Sequence, residues 1–493
     1  MDAGLFKPGA STGQAARGPT SDSGRWAWTL VPIGASIVVL ALTTQRSVAV
    51  TSPLLAIIWL GSAFYGSLRA EAGSAVVELG TVYAAVVSLY AIYPLLAYVA
   101  NGMSYTLAND LRLFLNEPTP VELGQVAWLY AGHLAAFVLA YRLVRGNVRF
   151  EVSLQPPGRI RVVALVLLFA AISCYFLVLG QVFDLSAADY GASYLILQRL
   201  PLLLAQITNH LGGMRLPIEV AILVALFARF RRYRWVIAAL LIAIGVTTFV
   251  KLWSRTEFVL LTMGALMLYH WYVRPVKERG MIFAGAIVLS LFLVAGILRS
   301  GVRESEYSAG WNIFSYSSEF ESLLANAHDL QRLRSAGLVG SMPLGFYLGD
   351  VLALVPQQVS PIQKMSPADW YVSEYYPYDA TRGHGYAFGT ISESIVGGGI
   401  FDVLVRGTLL GVILAAVHRW ASLRKATFWP VVAYTWAALL VYQSFRNTTF
   451  YLFVLFFFRF VPVVIAIEIV VGLVRGSRRW TLQRLADSAP FDR

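Results

Sequence analysis

Lys251 and Arg255 stand four residues apart in Lys251-Leu-Trp-Ser-Arg-Thr-Glu257, and Arg299 and Arg303 repeat that spacing. Residues i and i+4 share one face of a helix, so each pair can present two positive charges to one spot. Arg446 stands between two apolar runs, while Arg406 and Arg459 fall inside such runs. Guanidinium groups grip phosphate bidentately and stay charged when partly buried, so the functional reading of this set is an anion cradle. The plain alternative is contact with lipid headgroups, snorkelling, or pairing with Glu257, Glu304 and Glu306, with Glu468 serving Arg459.

A second group runs Arg382-Gly-His-Gly-Tyr-Ala-Phe-Gly-Thr-Ile-Ser-Glu393 and continues to Gly397-Gly-Gly399. These glycines miss the dinucleotide-binding spacing and follow no strand, which excludes a Rossmann fingerprint. They would let a backbone pass close to a ligand, or break a helix at membrane depth, where irregular backbone is tolerated if it lines a cavity. His384 and Glu393 are each able to accept a proton. Against this, a lone loop histidine is often only solvated. His133, His270 and His418 read as packing or interface residues. The chain carries no Asp-x-Asp in an outward connection, no His-Glu-x-x-His, no Gly-x-Ser-x-Gly and no Walker motif. Metal-dependent, zinc, elbow-serine and nucleotide-driven chemistry therefore have no sequence support, and neither a metal nor a cofactor is expected.

What must position these residues follows from composition. The chain has 493 residues, of which 57% are hydrophobic and 13% charged, with a net charge of +12 and a mean hydropathy of +0.63. Apolar runs of roughly 17–22 residues alternate with charged clusters, as helices crossing a hydrocarbon core require. The expectation is an all-α, polytopic integral membrane protein of about 12 transmembrane helices. The first nine are placed at Trp26–Thr43, Val48–Tyr65, Leu79–Val99, Leu123–Tyr141, Val162–Gly180, Leu216–Ala228, Trp235–Val250, Phe258–Tyr272 and Met281–Leu298. The last three are placed at Ala387–Val417, Phe428–Tyr442 and Phe450–Val471.

Arginine and lysine clusters after every second span, among them Arg142–Arg161, Arg229–Arg234 and Arg475–Arg479, all fall on one side. The positive-inside rule makes that side the cytoplasm and puts both termini there. The net positive charge thus speaks of a membrane face, not of nucleic acid. Residues 1–25 read as a disordered cytoplasmic tail, 26–298 as spans one to nine, 299–386 as one long outward loop with short helices, 387–475 as spans ten to twelve, and 476–493 as a second cytoplasmic tail. Within the loop, Glu319–Arg334 reads as a helix capped by Ser318 with Glu321 completing a capping box. It and Asp184–Arg199 mix apolar and charged residues and can lie in the interface plane. The single cysteine, Cys174, excludes a disulfide framework within one chain.

The segment Pro343-Leu-Gly-Phe-Tyr-Leu-Gly-Asp-Val-Leu-Ala-Leu-Val-Pro356, followed by Pro361 and Lys364, resembles part of the O-antigen polymerase family of oligosaccharide repeat-unit polymerases. So does the stretch through Ile391-Ser-Glu393 and Gly397–Gly399 to Gly407 and Gly411, and so does the Ser254-Arg-Thr256 step. The likeness covers about residues 250–460 in order; Asp402 and Arg406 depart from a stretch that is usually more apolar. The resemblance implies a fold like the C-type glycosyltransferases, in the bacterial cytoplasmic membrane, with the active site facing the periplasm. It implies a metal-independent polymerase that moves a growing glycan from a polyprenyl diphosphate to the sugar of an incoming lipid-linked repeat unit, with inversion. Lys251, Arg255, Arg299, Arg303, Arg382 and Arg446 would then hold diphosphate or glycan, with Tyr386 beside them. Glu393, or else His384, would take the acceptor's proton. Tyrosines and tryptophans such as Trp370, Tyr371, Tyr375 and Tyr376 would stack on sugars, and serve equally well as an interface belt. Membrane lipids and a chain-length regulator protein are the further partners implied. An O-antigen ligase using the same donor, and a transporter of lipid-linked or anionic solutes, are the competing readings; no internal repeat supports the latter.

Overall fold

The computed structural model describes residues 48–72, 77–100, 117–148, 155–183, 200–229, 255–274, 279–287, 318–339, 367–377, 387–424 and 427–487, with a few isolated positions besides. Every regular element among them is helical. The first six are α1 (Val48–Ala72), α2 (Leu79–Ala100), α3 (Pro120–Arg145), α4 (Arg159–Val182), α5 (Leu202–Arg229) and α6 (Arg255–Tyr272). Then come α7 (Ser318–Ser335), α8 (Pro367–Tyr375), α9 (Thr390–Val396), α10 (Ile400–Leu423), α11 (Phe428–Leu440) and α12 (Gln443–Arg446). Last are α13 (Tyr451–Leu455), a π-helical turn (Phe456–Phe460) and α14 (Val461–Asp487).

Among the described residues seven helices are long and apolar enough to cross a membrane: α1 to α5, α10, and the run Tyr451–Gly476. Parts of α6 and α11 are apolar but shorter. Five expected spans coincide with α1 to α4 and α6, and the span expected at Phe428–Tyr442 is α11. The sixth expected span begins at Leu202, not Leu216. Spans expected at Trp26–Thr43 and Trp235–Val250, the second half of Met281–Leu298, and the Asp184–Arg199 stretch lie outside the described residues, apart from isolated positions.

Two boundaries have clear local causes. Thr119 and Glu122 form a capping box at the start of α3, with Thr119 N–H donating to Glu122 Oε2 (2.9 Å) and Glu122 N–H to Thr119 Oγ1 (3.3 Å). Pro120 occupies the first turn, where its missing N–H costs nothing. The single span expected at Ala387–Val417 is instead two helices, α9 and α10. Gly397 N–H turns back to Glu393 O (3.0 Å) and Gly399 N–H to Ser394 O (2.8 Å). Gly399 sits at φ 66°, in the left-handed region that glycine adopts without strain.

In the inner bundle α2 packs on α3, α10 and α11, and α10 on α3 and α11; α7 and α9 pack on each other, α7 also on α2 and α3 and α9 on α10. The most extensive helix contact among the described residues runs between α3 and α10. Gly407 and Gly411 make it possible: a methyl group at either would meet the α3 backbone, His133 O at 2.5 Å or Phe137 O at 2.6 Å. Small residues four apart allow such close approach where two helices pack within lipid. Facing outward, α4 exposes Val166, Leu167 and Leu177, and α14 exposes Ile465, Ile469 and Leu473. Apolar patches of that extent mark a lipid-facing or partner-facing surface.

Several polar expectations change. α7 takes in Ser318, the residue expected to cap it, as its first residue, and it does not lie along an interface: residues 320–330 are all buried, packed on α2, α3 and α9. Arg145, counted among the charges that fix topology, is 1% exposed and grips Glu78 with both Nε (2.5 Å) and Nη2 (3.0 Å). Tyr141 OH also donates to Glu78 (3.0 Å). Arg161, from the same cluster, pairs with Glu468 (2.7 Å), so Glu468 does not serve Arg459. His133 and His418 are buried packing residues, as expected: His133 Nε2 bonds Tyr83 OH (2.8 Å) and His418 Nδ1 bonds Tyr434 OH (3.0 Å).

Candidate functional site

After α11 the chain turns through Val441 and Tyr442 into the single turn of α12, then through Asn447–Phe450 into α13. That reversal carries Arg446. Two turns later the π-helical segment carries Arg459. A π turn inserts an extra residue and shifts every following side chain around the helix; it is rare and common at functional sites. Its aromatic side is fixed by stacking, with Phe456 and Phe460 5.2 Å apart at 13° and Trp436 of α11 5.4 Å from Phe460.

Arg446 and Arg459 consequently line one cavity of about 300 Å³. Its other walls include Gly213 of α5, Trp436, Gln443 and Asn447. The volume sits at the lower end of the ~300–1,000 Å³ of small-ligand sites. Among the described residues no acid is paired with Arg459. An arginine inside a span costs about 2.5–3.5 kcal/mol on insertion scales, so Arg459 calls for an anion or water beside it to repay that. Polar partners line the same wall: Gln443 Nε2 donates to Tyr442 OH (2.6 Å), and Asn447 Nδ2 donates to Gln443 Oε1. The arrangement suits an anion with hydroxyl groups beside it, against an apolar floor of Leu216, Leu260 and Leu455.

Behind the cavity, α9 is stitched to the α12 reversal. Gly389 N–H donates to Asn447 O (2.9 Å), and Thr390 Oγ1 donates to Ser444 O (2.6 Å). Glu393 Oε2 accepts from Thr449 N–H (3.0 Å) and Thr449 Oγ1 (2.9 Å), and pairs with Arg406 Nη1 (2.8 Å). Arg406 reaches Asp402 Oδ2 through Nε (2.9 Å) and Thr449 Oγ1 through Nη1 (2.8 Å). Glu393 is 2% exposed and Arg406 4%. From α7, Asn326 Nδ2 donates to Ala387 O (2.7 Å), and Arg334 Nη1 donates to Gly397 O (3.0 Å) and to Ile395 O. These last bonds satisfy carbonyls that the end of α9 would otherwise leave open.

Of the residues expected at the site, the structure brings Arg446 to the cavity. Glu393 is not on its wall; its carboxylate is bonded to Arg406 and Thr449. Arg255 is the first residue of α6. Lys251, Arg299, Arg303, Arg382, His384 and Tyr386 lie outside the described residues. Of the aromatic group, Tyr371 is buried against Phe388, Tyr375 and Tyr376. Burial pushes its hydroxyl well above the usual range, with Tyr376 and Asp329 adding to the effect. Tyr371 is a packing residue and not a sugar platform.

Sequence reasoning left Arg406 and Arg459 between an anion cradle and a plain pairing or snorkelling role, and gave Thr449 and Arg334 none. The four-residue spacing of Asp402 and Arg406 in an apolar stretch was the available signal for their pairing. Arg334 and Thr449 carried none, because their partners are distant in the chain. No protein-family model matches the sequence, and no curated protein and no solved structure matches it.

Proposed function

We propose that the protein is a membrane glycosyltransferase that polymerises polyprenyl-diphosphate-linked oligosaccharide repeat units into a surface polysaccharide of the O-antigen type. The observation that carries this reading is the meeting of Arg446 and Arg459 on one cavity inside an apolar helical bundle. In the proposed step the bond between the anomeric carbon and the diphosphate breaks, and the diphosphate leaves with the electron pair. The acceptor hydroxyl oxygen bonds the same carbon from the opposite face and gives its proton to a base. Negative charge grows on the leaving oxygen, and guanidinium groups already fixed beside it stabilise the transition state more than the ground state. His384 is the candidate base. Glu393, held by Arg406 and Thr449, sets the position of the α12 reversal and so of Arg446.

The wider setting belongs to the same proposal: about 12 spans, a long outward loop over 299–386 carrying Arg299, Arg303, Arg382 and Tyr386, both termini in the cytoplasm, and the site facing the periplasm. No metal enters the step. Deleting the gene tests the reading in cells. Single repeat units left on the final acceptor would mark a lost polymerase; an acceptor with no glycan would mark a ligase instead. Full-length polysaccharide in the deletion strain would sink both.

One observation favours a second reading. Arg215 and Glu219 form a buried pair within α5 (3.0 Å), alongside Glu78–Arg145 and Glu393–Arg406. Charged groups buried within a span, such as Arg215 and Glu219, mark ion pathways and proton relays in pumps and transporters. Uptake of a labelled lipid-linked or anionic solute by proteoliposomes, with no glycan product, would select that alternative.

A further inference from the structure

Glycine is a poor helix former beside alanine, so adjacent glycines in the middle of α5 call for a reason. Gly212 and Gly213 have different ones. A methyl group at Gly212 would meet only the tip of Phe176, at 3.3 Å. A methyl at Gly213 would meet three successive atoms of Arg459: Nε at 2.7 Å, Cδ at 2.8 Å and Cγ at 2.8 Å. The arginine stem therefore lies flat across the bare α5 backbone at Gly213, and a methyl there would displace the whole stem, not just its end. Both residues line the same cavity. On the other side, the π turn that carries Arg459 is held by the Phe456–Phe460 stack against Trp436.

We infer that Gly213 is a positioning residue: with the π turn at Phe456–Phe460, it forms a track that aims the Arg459 guanidinium into the cavity as an anion ligand. The π turn sets the angle at which the side chain leaves its helix, and the missing Cβ opens the lane along which it runs. Rigid placement matters because an immobilised side chain loses its rotamer freedom before the anion arrives, not on binding. This rests on the part of the proposed function that puts an anion in the cavity, and not on the transfer chemistry.

The test is titration of purified full-length protein in detergent with inorganic pyrophosphate, followed by calorimetry. Wild type should bind saturably. Arg459→Ala and Gly213→Ala should each weaken binding about tenfold or more, the loss of a charge-assisted bond. The double variant should be no weaker than Arg459→Ala alone, because a track has no effect once its arginine is gone. Gly180→Ala, on α4 with open space around it and away from the cavity, serves as the helix-glycine control and should keep wild-type affinity. The inference is overturned if wild type binds no pyrophosphate, if Gly213→Ala binds like wild type, or if the two losses add in full. Should Gly213→Ala unfold, the double variant decides: with the stem removed it should fold, and equal unfolding of both would make Gly213 a packing residue only. A protein that shows this binding pattern yet makes no polymer would keep the track and lose the transferase.

Discussion

Arg406 faces two carboxylates, Glu393 at 2.8 Å and Asp402 at 2.9 Å, in a place where neither Arg406 nor Glu393 has access to solvent. That asymmetry orders the effects of substitution. Glu393→Gln keeps an oxygen for the two Thr449 donors and leaves Arg406 paired with Asp402. Arg406→Ala leaves two acids side by side with no cation, the kind of break that costs about 3–5 kcal/mol in a buried pair. Thermal unfolding in detergent should therefore rank Arg406→Ala as much the more destabilising; the reverse order would remove this cluster as the anchor of α9. At this scale the sequence was partly legible. Arg446 could be singled out because, at a turn expected to face outward, insertion gives no reason for a cation. Glu393 could be singled out as an acid at a span's end, but its partner Thr449 could not, since nothing local marks a threonine that closes a contact with a distant segment.

Elements differ in how openly they announce themselves. Spans such as α2 and α3 follow from length and apolarity, and the α9–α10 break follows from Gly397–Gly399, a run with no other use in a helix. The π turn is invisible in sequence because the stack of Phe456, Phe460 and Trp436 that holds it is tertiary. α7 misleads for a different reason: Glu321, Asn326, His328 and Asp329 read as a wet face, whereas each is buried. Two predictions belong here. Gly399→Ala forces a side chain onto φ 66° and should cost about 1 kcal/mol or more, seen as a lower unfolding temperature. Arg334→Ala removes the donor to Gly397 O and Ile395 O, so hydrogen exchange should speed up across 390–396 while α3 stays protected. Unchanged exchange there would mean that α9 needs no such cap.

For the whole molecule, the outer surface carries the argument. Cys174 is exposed on α4, among Val166, Leu167 and Leu177. If that face meets lipid, a charged, membrane-impermeant maleimide should leave Cys174 unmodified in intact membranes and label it after detergent extraction. Rapid labelling from water would place α4 at an aqueous surface. Composition made the membrane setting legible, because no soluble chain of this hydropathy could cover its apolar area with polar residues. It could not make the cavity legible, since that depends on α5, α11 and the π turn meeting across the bundle.

The central claim is that Arg446 and Arg459 together hold the diphosphate of a lipid-linked glycan while its sugar is transferred. The direct measurement gives the purified, reconstituted protein one synthetic polyprenyl-diphosphate-linked repeat unit and resolves the products on a gel. Wild type should yield a ladder of products spaced by one repeat unit, and folded Arg446→Ala and Arg459→Ala proteins should yield about a hundredth of it or less. Ladders of wild-type intensity from both variants, or no ladder from wild type, would contradict the account.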